Sequence, residues 1–227
     1  MPGTIARAEP PRSAHRERRR DPQQTQGRLL KAAAEEFARH GFAGARVDRI
    51  LKKAKANPRM LYHYFGGKSA LYVAVLEQAL GDLRREELQL DVQHLAPLDG
   101  LLQLFDFMNR HFEGHPQLVR LLANENLELA RQMKTSARIR EMSSPVLQNI
   151  DRLLAEGARH GTLREGLDPL RVYVLMVALS QFHISNLHTL SMIFDTDLSD
   201  ADWRAARHAD ARRMLAAFLS PPPANRD

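Results

Sequence analysis

From about residue 25 to residue 219 the apolar residues recur with a helical period, and no alternating β-branched run interrupts them. That pattern, with an aromatic content of 6%, confines the chain to an all-α fold. Leu30, Ala33 and Phe37 give the first helix an apolar stripe. Gly41 is suited to a left-handed C-terminal cap, with Phe42 packing back. Val47, Ile50, Leu51 and Ala54 follow the i, i+3, i+4, i+7 spacing of a short second helix. Asn57 is a good N-cap and Pro58 fits the first helical position, where its missing N–H costs nothing. The third helix therefore runs from Pro58 to Gly66-Gly67, and a long fourth from Lys68 to about Leu90. Beyond Pro97 the spacing predicts helices over about 98–113, 116–134, 137–160 with an interruption at Pro145, 169–194 and 200–219. The expected architecture is a small three-helix head followed by a larger helical bundle.

Charge is distributed unevenly over this pattern. Residues 1–68 hold 16 Lys/Arg against 6 Asp/Glu, while the remainder holds 17 against 21, within an overall charge of +6. A basic N-terminal third on a mildly acidic body points to a polyanionic partner for that third, although charge alone fits a solvated basic face equally well. Residues 1–24 are rich in Pro, Arg and Ala and show no apolar period, so they read as a disordered basic arm. Arg12, Arg16, Arg18, Arg19 and Arg20 would let that arm touch phosphates or a minor groove, or serve only as a solvated tail. Residues 221–227 read as a frayed tail. The chain has no cysteine, which excludes thiolate catalysis and disulfides and fits a reducing cytosol. The longest apolar run, Val172 to Leu179, is far short of a membrane span, so a cytoplasmic protein with no membrane partner is expected.

The turn between the second and third helices has the length of a helix-turn-helix. On the third helix Leu61 and Phe65 share an inward face, whereas Arg59, Tyr62 and His63 lie on another. An exposed basic and aromatic face of this kind suits the major groove, where Arg bonds guanine bidentately and Tyr hydroxyls reach phosphates. Lys68 opens the next helix, so its charge and the free N–H groups there can hold a phosphate together. Leu29-Leu30-x-Ala-Ala-x-x-x-Phe37, Gly41-Phe42, Val47-x-x-Ile50, Ala54 and Leu61-Tyr62-x-Tyr64-Phe65-x-x-Lys68-x-x-Leu71 resembles the DNA-binding head of the tetracycline-repressor (TetR) family over about Arg28 to Leu76.

The resemblance implies that Tyr62, Tyr64 and Lys68 clamp phosphates, that Pro58, Arg59 and His63 read bases, and that Leu61, Phe65, Phe37, Val47 and Ile50 form the head's core. Two places depart from the family pattern. Ala45-Arg46 stands where a hydroxyl cap is usual, which makes Arg46 a phosphate-contact candidate. Lys55-Ala56-Asn57 replaces a turn that usually begins with Gly, and a left-handed Lys55 would cost about 1 kcal/mol, so either the turn differs slightly or a phosphate contact offsets the strain. The family further implies a body that dimerises and senses a ligand. The division expected is 25–70 for the helix-turn-helix and 71–220 for ligand sensing and dimerisation.

Residues Val172 to Phe194 are apolar nearly all round, as a helix buried on two sides must be, and the last two helices are expected to form a four-helix interface in a two-fold homodimer. Two-fold symmetry predicts a palindromic double-stranded DNA operator. Glu125 falls on the stripe Leu118, Leu122, Leu129, and Gln181, His183 and Asn186 interrupt the apolar helix. These polar groups either bond one another and the backbone across the core or, in the case of Glu125 and His183, line a cavity for a small-molecule effector together with Phe105, Met108, Phe112 and Met176. Gly66-Gly67-Lys68-Ser69 is no P-loop, because Tyr62 stands where the first Gly is required. His111 and His115 are four apart but lack an evident third ligand, and no catalytic signature is found. No metal, cofactor or enzymatic activity is expected. The reading is a sequence-specific repressor released by an effector; a regulator acting as an activator and a nonspecific architectural DNA binder are the alternatives.

Overall fold

Helix-starting and helix-stopping residues divide the chain where their hydrogen bonds can be satisfied. The computed structural model describes residues 22–92, 94–142 and 144–222, and among them there are eleven α-helices and no strand. The first, α1 (Pro22–Gly44), is broken near its end by Gly41 at φ 65°, ψ 179°, a conformation that a Cβ would strain. Behind that break Phe42 turns back onto Phe37 and Tyr72, with ring centroids 6.4 and 5.3 Å away. The buried stripe is Leu29, Ala33 and Phe37; Leu30 is only half-buried. Residues 22–24, expected in the basic arm, belong to this helix, and residues 1–21 with their arginines lie outside the described residues.

Helix α2 (Val47–Ala54) buries Ile50, Leu51 and Ala54 against α1. Helix α3 (Pro58–Phe65) starts on the Asn57 side chain, whose oxygen accepts the Met60 N–H at 2.9 Å, and ends at left-handed Gly66. Helix α4 (Lys68–Leu88) then runs from this head into the body. It packs on α1 at one end and at the other on α5 (Pro97–Gly114) and α8 (Ser144–Arg159).

Two helices expected as continuous are split. The segment 116–134 becomes α6 (Pro116–Leu127) followed by a 3-10 turn, Met133–Thr135. Between them Leu129 and Ala130 are left-handed, and the turn closes on Glu125, whose carboxylate accepts the Met133 N–H at 3.0 Å. The segment 169–194 becomes α9 (Pro169–Ser185) and α10 (Leu187–Phe194). At the junction the Asn186 amide donates to the Phe182 carbonyl at 2.9 Å, so a side chain competes with the helical ladder there. The interruption expected at Pro145 separates α7 (Ala137–Glu141) from α8. Asp168 caps α9 through the Arg171 N–H, and Asp200 caps α11 (Ala201–Leu219) through the Trp203 N–H.

In the body α5 lies at the centre, packed by α8, α9 and α11, while α6 lies across α1. Buried side chains from Leu29 in the head to Leu219 in the last helix form one connected cluster. The head is therefore seated on the body through packed side chains, with Tyr72 of α4 fully buried near their junction.

Candidate nucleic-acid interface

The turn before α3 decides how that helix is presented. Lys55 is left-handed, at φ 51°, ψ 44°, so the turn keeps its form without a glycine. The Lys55 N–H bonds the Lys52 carbonyl at 3.3 Å and the Ala56 N–H bonds the Leu51 carbonyl at 3.1 Å, the paired bonds of a Schellman ending. Asn57 follows in extended backbone and starts α3 at once. Leu61 is 0% exposed and Phe65 half-buried, so α3 is pinned by its inner face. Pro58, Arg59, Tyr62 and His63 remain exposed on the outer one.

The two tyrosines differ. Tyr62 is 62% exposed, whereas Tyr64 is half-buried, its ring edge-on to His63 and to Phe65 at 5.2 and 6.4 Å. Lys68 reaches back from the start of α4 to the α1–α2 corner. Its ammonium lies 4.9 Å from the Phe42 ring centre and donates to the Ala43 carbonyl at 3.4 Å. The N-cap of α4 is Gly67, which offers no side-chain bond, so the first N–H groups of α4 stay open to an anion.

At the start of α2 the hydroxyl cap is replaced by a carboxylate from elsewhere: Glu36 accepts the Arg46 N–H at 3.0 Å. The Arg46 guanidinium meets Asp48 with two bonds of 3.1 Å, and this pairing holds the Asp48 carboxyl below the usual range. Arg46 would have to exchange that carboxylate for a phosphate, at little cost since the pair is exposed. Glu36 also pairs with Arg49, and Glu35 with Lys53. Two cations of α2 are thus neutralised by α1, while Lys52 is exposed and without an ion pair among the described residues. The sequence does not single out Lys52, which looks like Lys53 beside it.

Comparison with known proteins decides what this geometry belongs to. Residues 29–75 match the bacterial regulatory proteins of the tetR family, and residues 97–215 match the tetracyclin repressor-like C-terminal domain. The chain belongs to the TetR family of DNA-binding transcriptional regulators. It is 33% identical over 183 residues to the HTH-type transcriptional repressor NicS of Pseudomonas putida, an alignment covering 79% of this chain and 86% of that one. The HTH-type transcriptional regulator RutR of Escherichia coli O157:H7 is 28% identical over 196 residues, 85% of this chain and 89% of that one. A putative transcriptional regulator of Streptomyces coelicolor superposes with a TM-score of 0.66 at 31% identity, covering 87% of this chain and 99% of that one. The family and these relatives are regulators rather than enzymes. No described helix is long and apolar enough to cross a membrane.

The body of this TetR-family chain does not gather the six expected effector-site residues into one pocket. Phe105, Met108, Phe112 and Met176 are buried in the connected core. Glu125 faces the 3-10 turn and α4, where burial and the Glu125 carboxylate push the Tyr72 phenol upward. His183 faces α5 and α11 instead, 3.7 Å from Glu113 and with its ring 6.4 Å from Trp203. The turn at residues 128–135 folds onto Glu125 and uses its carboxylate, so Glu125 and His183 are engaged by different elements. Of the six, His183 lines a cavity, of about 350 Å³, between α9, α10 and α11. A larger cleft of about 680 Å³ lies between α1, α4 and the α5–α6 corner. Its wall includes His111, whose ring bonds Glu86 at 3.0 Å and stacks on His115 at 4.1 Å. Among the described residues no group of three His, Cys, Asp or Glu could hold a metal ion.

Proposed function

We propose that this regulator is a repressor that binds a palindromic operator as a two-fold homodimer and leaves it when a small-molecule effector binds the body. The observation that carries the reading is α3 itself, pinned by Leu61 and exposing Arg59, Tyr62 and His63 beside the open start of α4. In this reading Pro58, Arg59 and His63 meet base edges, and Tyr62, Tyr64 and Lys68 hold phosphates. Arg46 and Lys55 add backbone contacts at the edges of α2. Asn57 serves first as the cap of α3 and has only its amide N–H groups left for the DNA backbone. Residues 25–70 act as the reader, and 71–220 as the sensing and dimerising unit.

Dimerisation is supported by apolar side chains that one protomer leaves in water. Leu170, Val174 and Leu175 on α9 and Met214 and Phe218 on α11 are exposed. Paired by a two-fold axis, these two helices and their mates would make a four-helix interface, and the symmetric heads would then face two half-sites. Selecting bound sites from a random DNA pool tests the reading. An enriched inverted repeat is expected; DNA recovered without any enriched sequence overturns it in favour of nonspecific binding.

A further inference from the structure

We propose that the cavity between α9, α10 and α11 is a binding site for a small carboxylate carrying a flat ring. Its lining is aromatic, a half-buried Trp203 with the largely exposed Phe182 and Phe194, and two basic side chains face it, His183 and Arg207. A volume of about 350 Å³ lies at the lower end of small-molecule sites and admits a ligand of one or two rings. The polar groups have no complete set of partners. His183 is 4% exposed, yet neither of its ring nitrogens has a hydrogen bond, and Glu113 stands beyond bonding distance at 3.7 Å.

Arg207 is half-buried and makes no ion pair among the described residues. It donates to two neutral oxygens, the Leu179 carbonyl and the Asn109 amide oxygen, and so keeps donors free. Arg207 and Arg204 act on His183 against Glu113; Glu113 also faces Arg207 and Asp197 acts with Arg204, so what Arg207 lacks is a carboxylate within bonding distance. Burial and the Arg207 charge push the His183 imidazole down to about 4, so the ring is neutral and can donate one N–H without adding a second full charge. A carboxylate would complete Arg207 with a charge-assisted bond and accept the imidazole N–H, while its ring lies among the aromatic walls. Inorganic phosphate would gain the charge but nothing from the rings. A neutral amide would gain the rings but not the charge.

The site deepens the effector reading, because α9 and α11 also carry the proposed dimer face and a ligand seated between them can alter how the heads are spaced. Trp203 is the chain's single tryptophan, so its fluorescence reports the cavity directly. On the full chain, titration with benzoate is expected to change Trp203 emission saturably, with benzamide and acetate each binding at least tenfold more weakly. Arg207→Gln should weaken benzoate by a similar factor. Since Arg207 also holds the Leu179 carbonyl, the benzoate–benzamide comparison on the unaltered protein stands whether or not that variant folds. No saturable response to benzoate, or equal responses to benzoate and benzamide, overturns the proposal. Benzoate binding that leaves DNA affinity unchanged upholds the site and counts against the effector reading alone.

Discussion

Among the exposed residues of the head, contact type should follow how firmly each side chain is already held. Arg59 is exposed and has no partner among the described residues, which suits a bidentate contact to a base edge. Lys68 is held over Phe42 and against the Ala43 carbonyl, so its charge is fixed in place but its direction is not selective. Arg59→Ala is therefore expected to cost about 1–3 kcal/mol on the selected operator and to relax preference at one position of each half-site. Lys68→Ala should weaken all sequences alike and lower the dependence of log affinity on log salt by about one per half-site, hence about two for the dimer on the full operator. Binding titrations on the operator, on single-base variants and at several salt concentrations separate the two. Identical behaviour of both variants would remove the division of roles. Tyr62 and Tyr64 differ likewise in freedom: exposed Tyr62 can swing toward a phosphate, whereas half-buried Tyr64 offers its hydroxyl from a fixed place.

The elements show where local chemistry was enough to read the structure and where it was not. Both ends of α3 were legible because their determinants sit beside them: the Asn57 oxygen, the Pro58 ring and the left-handed Gly66. The ends of α6 and α9 were not, because the apolar period continues through both breaks. One break comes from Glu125 reaching eight residues ahead to Met133, and the other from Asn186 turning its amide onto its own helix rather than into solvent. The same limit applies to the site. Exposure along α3 follows from spacing, but neither the pairing of Arg46 with Asp48 nor the separation of Glu125 from His183 does. The left-handed Lys55 offers a test at this scale. Lys55→Gly relieves backbone strain and should stabilise the protein by roughly 0.5–1 kcal/mol, part of the gain being offset by a freer unfolded chain. If the lysine is retained for a phosphate, the same change weakens DNA binding uniformly. A higher thermal midpoint with undiminished affinity would show that Lys55 has no role on DNA.

For the whole molecule the central element is α4, which has Lys68 at the head end and a buried ion pair at the other. There Glu87, 4% exposed, pairs with Arg84, whose guanidinium lies 5.0 Å from the Tyr173 ring centre on α9. Burial pushes the Glu87 carboxyl upward against the pull of Arg84, so this contact fixes α4 to α9 only while the pair stays intact. The helix that leaves the head is thus joined to a helix whose outer face exposes Leu170, Val174 and Leu175. Val174 occupies that outer face at 55% exposure, outside the connected core, so a charge there should leave the protomer's own packing alone. In a two-fold interface, however, the substitution sets two carboxylates near each other in a desolvated seam, which is strongly unfavourable. Val174→Asp is accordingly expected to give a monomeric mass in sedimentation with an unchanged helical spectrum. Its affinity for the full operator should fall to that for an isolated half-site, because the second head no longer binds as part of the same molecule. A variant that remains dimeric and binds the full operator normally would place the interface elsewhere than α9.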